Sequence, residues 1–128
     1  MREPAKCVMI VDDAGLVRRY YRQALERAGF QVHEAMNGLE ALEKLLQTPV
    51  DLLIVDVNMP QMDGMTFIET LRGQDTPGAA TPVLMTSTES APNDFAAARN
   101  AGANFYLVKP ITADTLEEFA VMLCGVAA

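Results

Sequence analysis

The chain has no apolar run approaching the roughly 18 residues that a membrane-spanning helix needs, and its opening MREPAK is not followed by an apolar segment of signal-peptide length before Asp12 and Asp13. The expectation is a soluble, cytoplasmic protein that does not insert in membranes. Positive charge is also scarce: 10 Lys and Arg stand against 17 Asp and Glu, a net charge of −7. Binding to a phosphate backbone depends on basic side chains that displace counterions. Neither a basic tail nor an aromatic-basic stretch is present, so nucleic acid is not expected as a partner. Cys7 and Cys124 are isolated thiols without CxxC spacing, expected to be reduced and buried as small hydrophobes. His33 has no partner ligand on its segment and reads as structural or exposed, and Met59, Met62 and Met65, without Cys or His nearby, read as turn and helix packing. There is no internal repeat, linker or low-complexity segment.

What the chain does contain is alternation. With 128 residues, half of them hydrophobic and 21% charged, it reads as one globular domain able to bury about two-thirds of its unfolded surface. Short apolar runs (CVMIV, FQVHEA, VDLLIVDV, TPVLMTS, NFYLVK) alternate with amphipathic stretches, which gives five β-α units in order. In the first amphipathic stretch Val17, Tyr20, Tyr21, Ala24, Leu25 and Ala28 share a helical face, Arg18, Arg19, Arg22, Glu26 and Arg27 the other, and Gly29 supplies a stop. Asn37 and Thr112 are placed to cap the second and fifth helices, and Gly73 and Gly102 follow the third and fourth. Residues 73 to 81 read as a surface loop. Runs apolar on both faces, such as LLIV and PVLM, are expected of parallel strands covered by helices on either side. The fold class is therefore α/β, a doubly wound five-stranded parallel sheet, flavodoxin-like in the order 2-1-3-4-5. One domain spans residues 1–128, and no output domain is expected after the fifth helix.

In open α/β sheets, ligands bind beyond the carboxyl ends of the strands. Taken in order, those ends carry Asp12 and Asp13 after the first strand, Asp56 at the third, Thr86 and Ser87 after the fourth, and Lys109 after the fifth. Asp56 ends an apolar run, where a carboxylate is costly unless something pairs with it. Neighbouring carboxylates repel by roughly 1 to 4 kcal/mol depending on the effective dielectric, so the cluster favours a cation. Hard oxygen ligands suit Mg²⁺. Such a site points to phosphoryl transfer, with Asp56 as nucleophile and Lys109 opposite the transferring oxygens.

The order DD, DVNMPQMDG, LMTS, YLVKP resembles the receiver domain of two-component response regulators over essentially the whole chain, and the spacing within it resembles single-domain chemotaxis receivers. The resemblance implies that Asp56 accepts a phosphoryl group from a histidine kinase or histidine phosphotransfer domain. It implies Mg²⁺ held by Asp13, Asp56 and the backbone carbonyl of Asn58, with Asp12 assisting through water. Ser87 matches the switch hydroxyl, with Lys109 22 residues beyond it, and Thr86 is the competing hydroxyl. Tyr106 matches the switch aromatic, and Lys109 matches the lysine that pairs with the phosphoryl group, with a cis bond to Pro110. Asn58 and Glu89 fall where the family tunes dephosphorylation, and a short-lived phosphorylated state is expected. The protein is expected to signal as a monomer rather than to act as an enzyme, and to bind a downstream target.

Plainer readings stand beside these. Asp12 and Asp13 can simply cap the first helix, Lys109 can be a snorkelling surface lysine, and Tyr106 can be ordinary strand packing. Arg18, Arg19 and Arg22 are either a solvated face or a docking surface for the phosphodonor. A haloacid-dehalogenase-type phosphotransferase needs a second acid two residues past the nucleophile, where this chain has Asn58. A flavin-binding protein of the same architecture would meet repulsion between the cofactor phosphate and Asp12 and Asp13. A pseudo-receiver that binds without phosphorylation would not need Asp13, Asp56, Ser87 and Lys109 together. The fifth helix, with Glu117 and Glu118 and no lysine, departs from the lysine-rich helix of chemotaxis receivers that bind the flagellar motor switch, so a phosphate sink or adaptor competes with motor binding. Phe119, Val121, Met122 and Leu123 read chiefly as core, with a dimer contact as the alternative.

Overall fold

A computed structural model describes residues 5–125. Five strands, β1 (Cys7–Val11), β2 (Gln31–Ala35), β3 (Leu52–Asp56), β4 (Val83–Ser87) and β5 (Phe105–Val108), alternate with five helices, α1 (Gly15–Arg27), α2 (Gly38–Leu45), α3 (Gly64–Arg72), α4 (Pro92–Ala101) and α5 (Ala113–Cys124). All strand pairs are parallel, in the order β2-β1-β3-β4-β5. This is the flavodoxin-like arrangement expected from the alternation.

Period-two alternation along the strands builds a core on each face. Val8, Ile10, Leu52, Ile54 and Leu84 pack under α1 and α5 with Tyr21, Leu25 and Leu116. Met9, Val11, Leu53, Val55, Val83 and Met85 pack under α2, α3 and α4 with Ala41, Phe67, Ile68 and Ala98. Every residue of β3 and β4 is buried, which explains the unbroken apolar runs in the sequence. β5 is an edge strand, so Phe105 and Val108 remain exposed although their run reads like the others.

The caps behave as expected: Asn37 accepts a hydrogen bond from the Glu40 N–H, and Thr112 accepts one from Thr115. Asp63 caps α3 through the Thr66 N–H, a role the sequence reading did not assign. Gly29 and Gly102 sit in the left-handed region at φ 97° and 114°, whereas Gly73 ends α3 without leaving right-handed backbone. The segment read as a loop before β4 contains a short 3₁₀ turn, Pro77–Ala80, started by the fixed φ of Pro77. Tyr20 lies at the rim of its helix face, 48% exposed, because its hydroxyl accepts a hydrogen bond from the Ala113 N–H at the start of α5. Both cysteines are half-buried rather than buried: Cys7 donates to Gln31 Oε1, and burial pushes the Cys124 thiol up to about 11. Met59 is buried and Met62 and Met65 pack against the core, as expected.

Candidate functional site

The carboxyl edge of the sheet carries a compact set of charges. Asp12 follows β1, Asp56 is the last residue of β3, and both are buried, while Asp13 is exposed. One carboxylate oxygen from each of Asp12, Asp13 and Asp56 lies within 4.8 Å of the others. The Lys109 ammonium, just past β5, reaches Asp12 Oδ2 at 3.0 Å and Asp56 Oδ1 at 3.2 Å. It is thus an inward-facing group and not a surface lysine, and the bond between it and Pro110 is cis.

The electrostatics follow from burial and neighbours. Burial raises the Asp56 carboxyl above its ordinary range and Asp12 raises it further, with Lys109 offsetting only part. Burial lowers the Lys109 ammonium, but Asp12 and Asp56 outweigh it and hold the group above its usual value. Two buried acids thus share one cation, and the balance still leaves excess negative charge. An oxygen-rich, electron-rich cluster of this kind fits a hard divalent ion such as Mg²⁺.

The plain capping role for the acids is not what the structure has. The residue before α1 is Ala14, without a side-chain cap, and Asp12 Oδ1 accepts from the Ala14 N–H at 2.9 Å ahead of the helix. The Asp12 carbonyl accepts from Arg18 Nη1 at 2.7 Å. Arg18 Nε and Arg22 Nη1 also pair with Glu34, at 3.0 and 2.7 Å, which leaves Arg19 as the exposed member of the arginine face. Two of the three arginines are therefore tied to β2.

The β3–α3 connection fixes Asp56 from below. The Gly64 N–H donates to the Val57 carbonyl at 2.8 Å, and a Cβ on Gly64 would lie 2.3 Å from the Asp56 carbonyl oxygen. Among the described residues Gln61, at φ 70°, is the non-glycine residue held in the left-handed region, in the same loop. Asn58 is exposed in this loop, two residues past Asp56. The sequence reading passed over Gly64, although the Asp-Gly pair ahead of a helix was visible.

Thr86 and Ser87 close β4 rather than follow it, because two small polar residues at a buried strand end pair like the rest of the strand; both are fully buried. Ser87 Oγ accepts from the Glu89 N–H at 3.0 Å, and the Tyr106 hydroxyl donates to the Glu89 carbonyl at 2.9 Å. The Tyr106 ring stands edge-on to Phe95, 4.8 Å between centroids. Ser87, Glu89 and Tyr106 therefore form a second linked group beside the acidic cluster. Between α1 and the start of α5, next to Lys109, an open and mostly apolar pocket of about 530 Å³ is lined by Leu16, Val17, Tyr20, Tyr21, Pro110 and Ile111, among others. Burial there pushes the Tyr21 phenol up to about 12.

Comparison with known proteins agrees with this geometry. Residues 8–120 match the response regulator receiver domain family. The chain is 36% identical over 120 residues to chemotaxis protein CheY1 of Helicobacter pylori, covering 92% of this chain and 96% of that one. It is 38% identical over 103 residues to the transcriptional regulatory protein PrrA of Mycobacterium leprae, covering 80% of this chain and 43% of PrrA. The structure of chemotaxis protein CheY4 of Vibrio cholerae superposes with a TM-score of 0.88 at 35% identity, over 94% of this chain and 99% of that one. By fold, site and sequence, the chain belongs to the response regulator receiver domain family of two-component signalling, with CheY-type receivers among its relatives.

Proposed function

We propose that this receiver is a phosphorylation-activated switch in chemotaxis signalling, with Asp56 as phosphoacceptor. The observation that carries the reading is a buried strand-end carboxylate held by Lys109 between two further acids. An Asp56 oxygen attacks the phosphorus of a phosphohistidine on the kinase or phosphotransfer domain. The new O–P bond replaces the P–N bond, and the leaving imidazole takes up a proton. Lys109 then follows the charge to the phosphoryl oxygens. Asp12, Asp13, Asp56 and the Asn58 carbonyl would hold Mg²⁺, with Asp12 acting through water. When bound, the ion supplies positive charge against those oxygens. The apolar pocket beside Lys109, with the exposed Arg19 on the same helix, suits a phosphodonor domain that docks on α1.

Signal output runs through the second group. When Ser87 turns to the phosphoryl group it gives up the Glu89 N–H, and Glu89 is also the residue that holds the Tyr106 hydroxyl outward. A charge-assisted hydrogen bond contributes roughly 1.5 to 3 kcal/mol, while a swing from 1:99 to 99:1 needs about 5.5 kcal/mol. Phosphorylation therefore shifts a population, and a partner that prefers the phosphorylated form completes the change. The similarity to CheY1 and CheY4 supports the chemotaxis assignment. The lysine-free α5, with Glu117 and Glu118 exposed, favours a second reading for the output: a phosphate sink or an adaptor rather than a ligand of the flagellar motor switch. We place the protein in the cytoplasm as a monomeric signalling protein. Among the described residues no helix is long and apolar enough to cross a membrane.

Intact mass after incubation with acetyl phosphate tests the reading. One added phosphoryl group is expected with Mg²⁺, almost none with a chelator, and none in Asp56→Asn under the same quench. Uptake by Asp56→Asn equal to the parent, or no uptake by the folded parent at any Mg²⁺ concentration, would sink it. After donor removal the same time course reads the lifetime. Exposed Asn58 and Glu89 beside the site are expected to give decay within minutes, and persistence for hours contradicts their assigned tuning role.

A further inference from the structure

We propose that Thr86 is a positioning residue for Asp56: its hydroxyl takes up the Asp56 carboxyl group when Lys109 turns away to the phosphoryl oxygens. The inference rests on the phosphoacceptor reading given above.

Thr86 stands directly opposite Asp56 in the β3–β4 register, as Val11 stands opposite Val55 in β1–β3. Ile10, Ile54 and Leu84 all belong to the α1/α5 core, so the period of two sets Asp12, Asp56 and Thr86 on that same face. Met85 belongs to the opposite core, which sets Ser87 on the other face. Three polar residues thus form a row across three neighbouring strands. Adjacent strands lie about 4.8 Å apart, a gap that a carboxylate and a hydroxyl bridge between them. Lys109 contacts the first two members of the row.

The third member is fully buried, and Thr86 Oγ1 is the buried side-chain oxygen that has no hydrogen-bond partner among the described residues. A buried hydroxyl left unpaired is destabilising, and an apolar group of the same shape would remove that cost. In the resting state both Asp56 and Asp12 are occupied with Lys109. After transfer, one Asp56 oxygen carries the phosphoryl group, and the other, which would also face Mg²⁺, has lost its lysine and keeps a lone pair for a second partner. The Thr86 O–H is the donor beside it in register.

The test compares the parent, Thr86→Val and Thr86→Ser by intact-mass phosphorylation rate with acetyl phosphate and Mg²⁺, alongside thermal melts. Thr86→Val keeps the shape and deletes the hydroxyl. It is expected to raise Tm by a few degrees and to slow phosphorylation about tenfold, while Thr86→Ser restores the rate. A merely structural hydroxyl would move Tm alone. Thr86→Val phosphorylated as fast as the parent overturns the proposal, as does equal slowing in both variants. If the folded parent takes up no phosphoryl group, the phosphoacceptor reading itself has failed, which is a separate result.

Discussion

Gly64→Ala is expected to destabilise the protein by about 3 kcal/mol or more and to prevent phosphoryl uptake on Asp56. The added Cβ would lie 2.3 Å from the Asp56 carbonyl oxygen and 3.0 Å from both Val57 Cα and Met85 Cε. Neither backbone contact can yield cheaply. β3 is held between β1 and β4, Asp56 itself pairs with Thr86 of β4, and the Gly64 N–H is bonded to the Val57 carbonyl at 2.8 Å. Relief requires α3 to retreat from β3, which opens the core around the fully buried Phe67 and Ile68 and moves the strand end that carries Asp56. Typical urea dependence converts the loss to a midpoint drop of roughly 1 to 3 M. An unchanged midpoint, with normal phosphorylation, would mean that the close approach of α3 to β3 is not as described.

Arg72→Met is expected to produce a stability loss of similar size, about 3 kcal/mol or more, without removing the phosphorylation chemistry. The Arg72 guanidinium donates to the Gly102 carbonyl through Nε and Nη2 at 3.1 and 2.8 Å, to the Ala79 and Thr81 carbonyls through Nη1, and to Asn104 Oδ1 at 3.1 Å. It thereby ties the end of α3 to the 3₁₀ turn, the entry to β4 and the α4–β5 connection. Among the described residues it has no carboxylate partner, and burial pulls its pKa below the ordinary arginine value. Its positive charge is balanced by carbonyl dipoles alone. Methionine fills the stem volume but leaves those carbonyls without a donor, and lysine cannot reproduce the planar fork. At low temperature, where the variant is still folded, uptake at Asp56 is expected to match the parent. Urea denaturation together with that mass measurement separates the two effects. A midpoint equal to the parent's contradicts the assigned role.

Much of the fold was legible because the signals that write it are local. The apolar runs, the caps at Asn37 and Thr112 and the stops at Gly29 and Gly102 each depend on a few adjacent residues. The acidic cluster was legible for a topological reason: parallel strands place their carboxyl ends on one edge, so Asp12, Asp13, Asp56 and Lys109 had to approach one another. Arg72 was not legible, since most of its acceptors are backbone carbonyls, and any residue has those. Gly64 depends on how closely α3 approaches β3, a distance that no sequence pattern encodes. Thr86 and Ser87 read along the chain as following the fourth strand, and only burial by both layers makes them its last two residues. Glu89 was marked for its side chain, whereas the structure uses its backbone to link Ser87 to Tyr106.

The most direct measurement is to locate the phosphoryl group. The protein phosphorylated with acetyl phosphate and Mg²⁺ is treated with borohydride, which reduces an acyl phosphate to the alcohol and converts a phosphorylated aspartate to homoserine. Peptide mass mapping then reads the position. Homoserine at residue 56, with Asp12 and Asp13 unchanged, is the result expected here. Homoserine at 12 or 13 in place of 56, or a phosphorylated protein that borohydride leaves unaltered, would contradict the assignment of Asp56 as the phosphoacceptor.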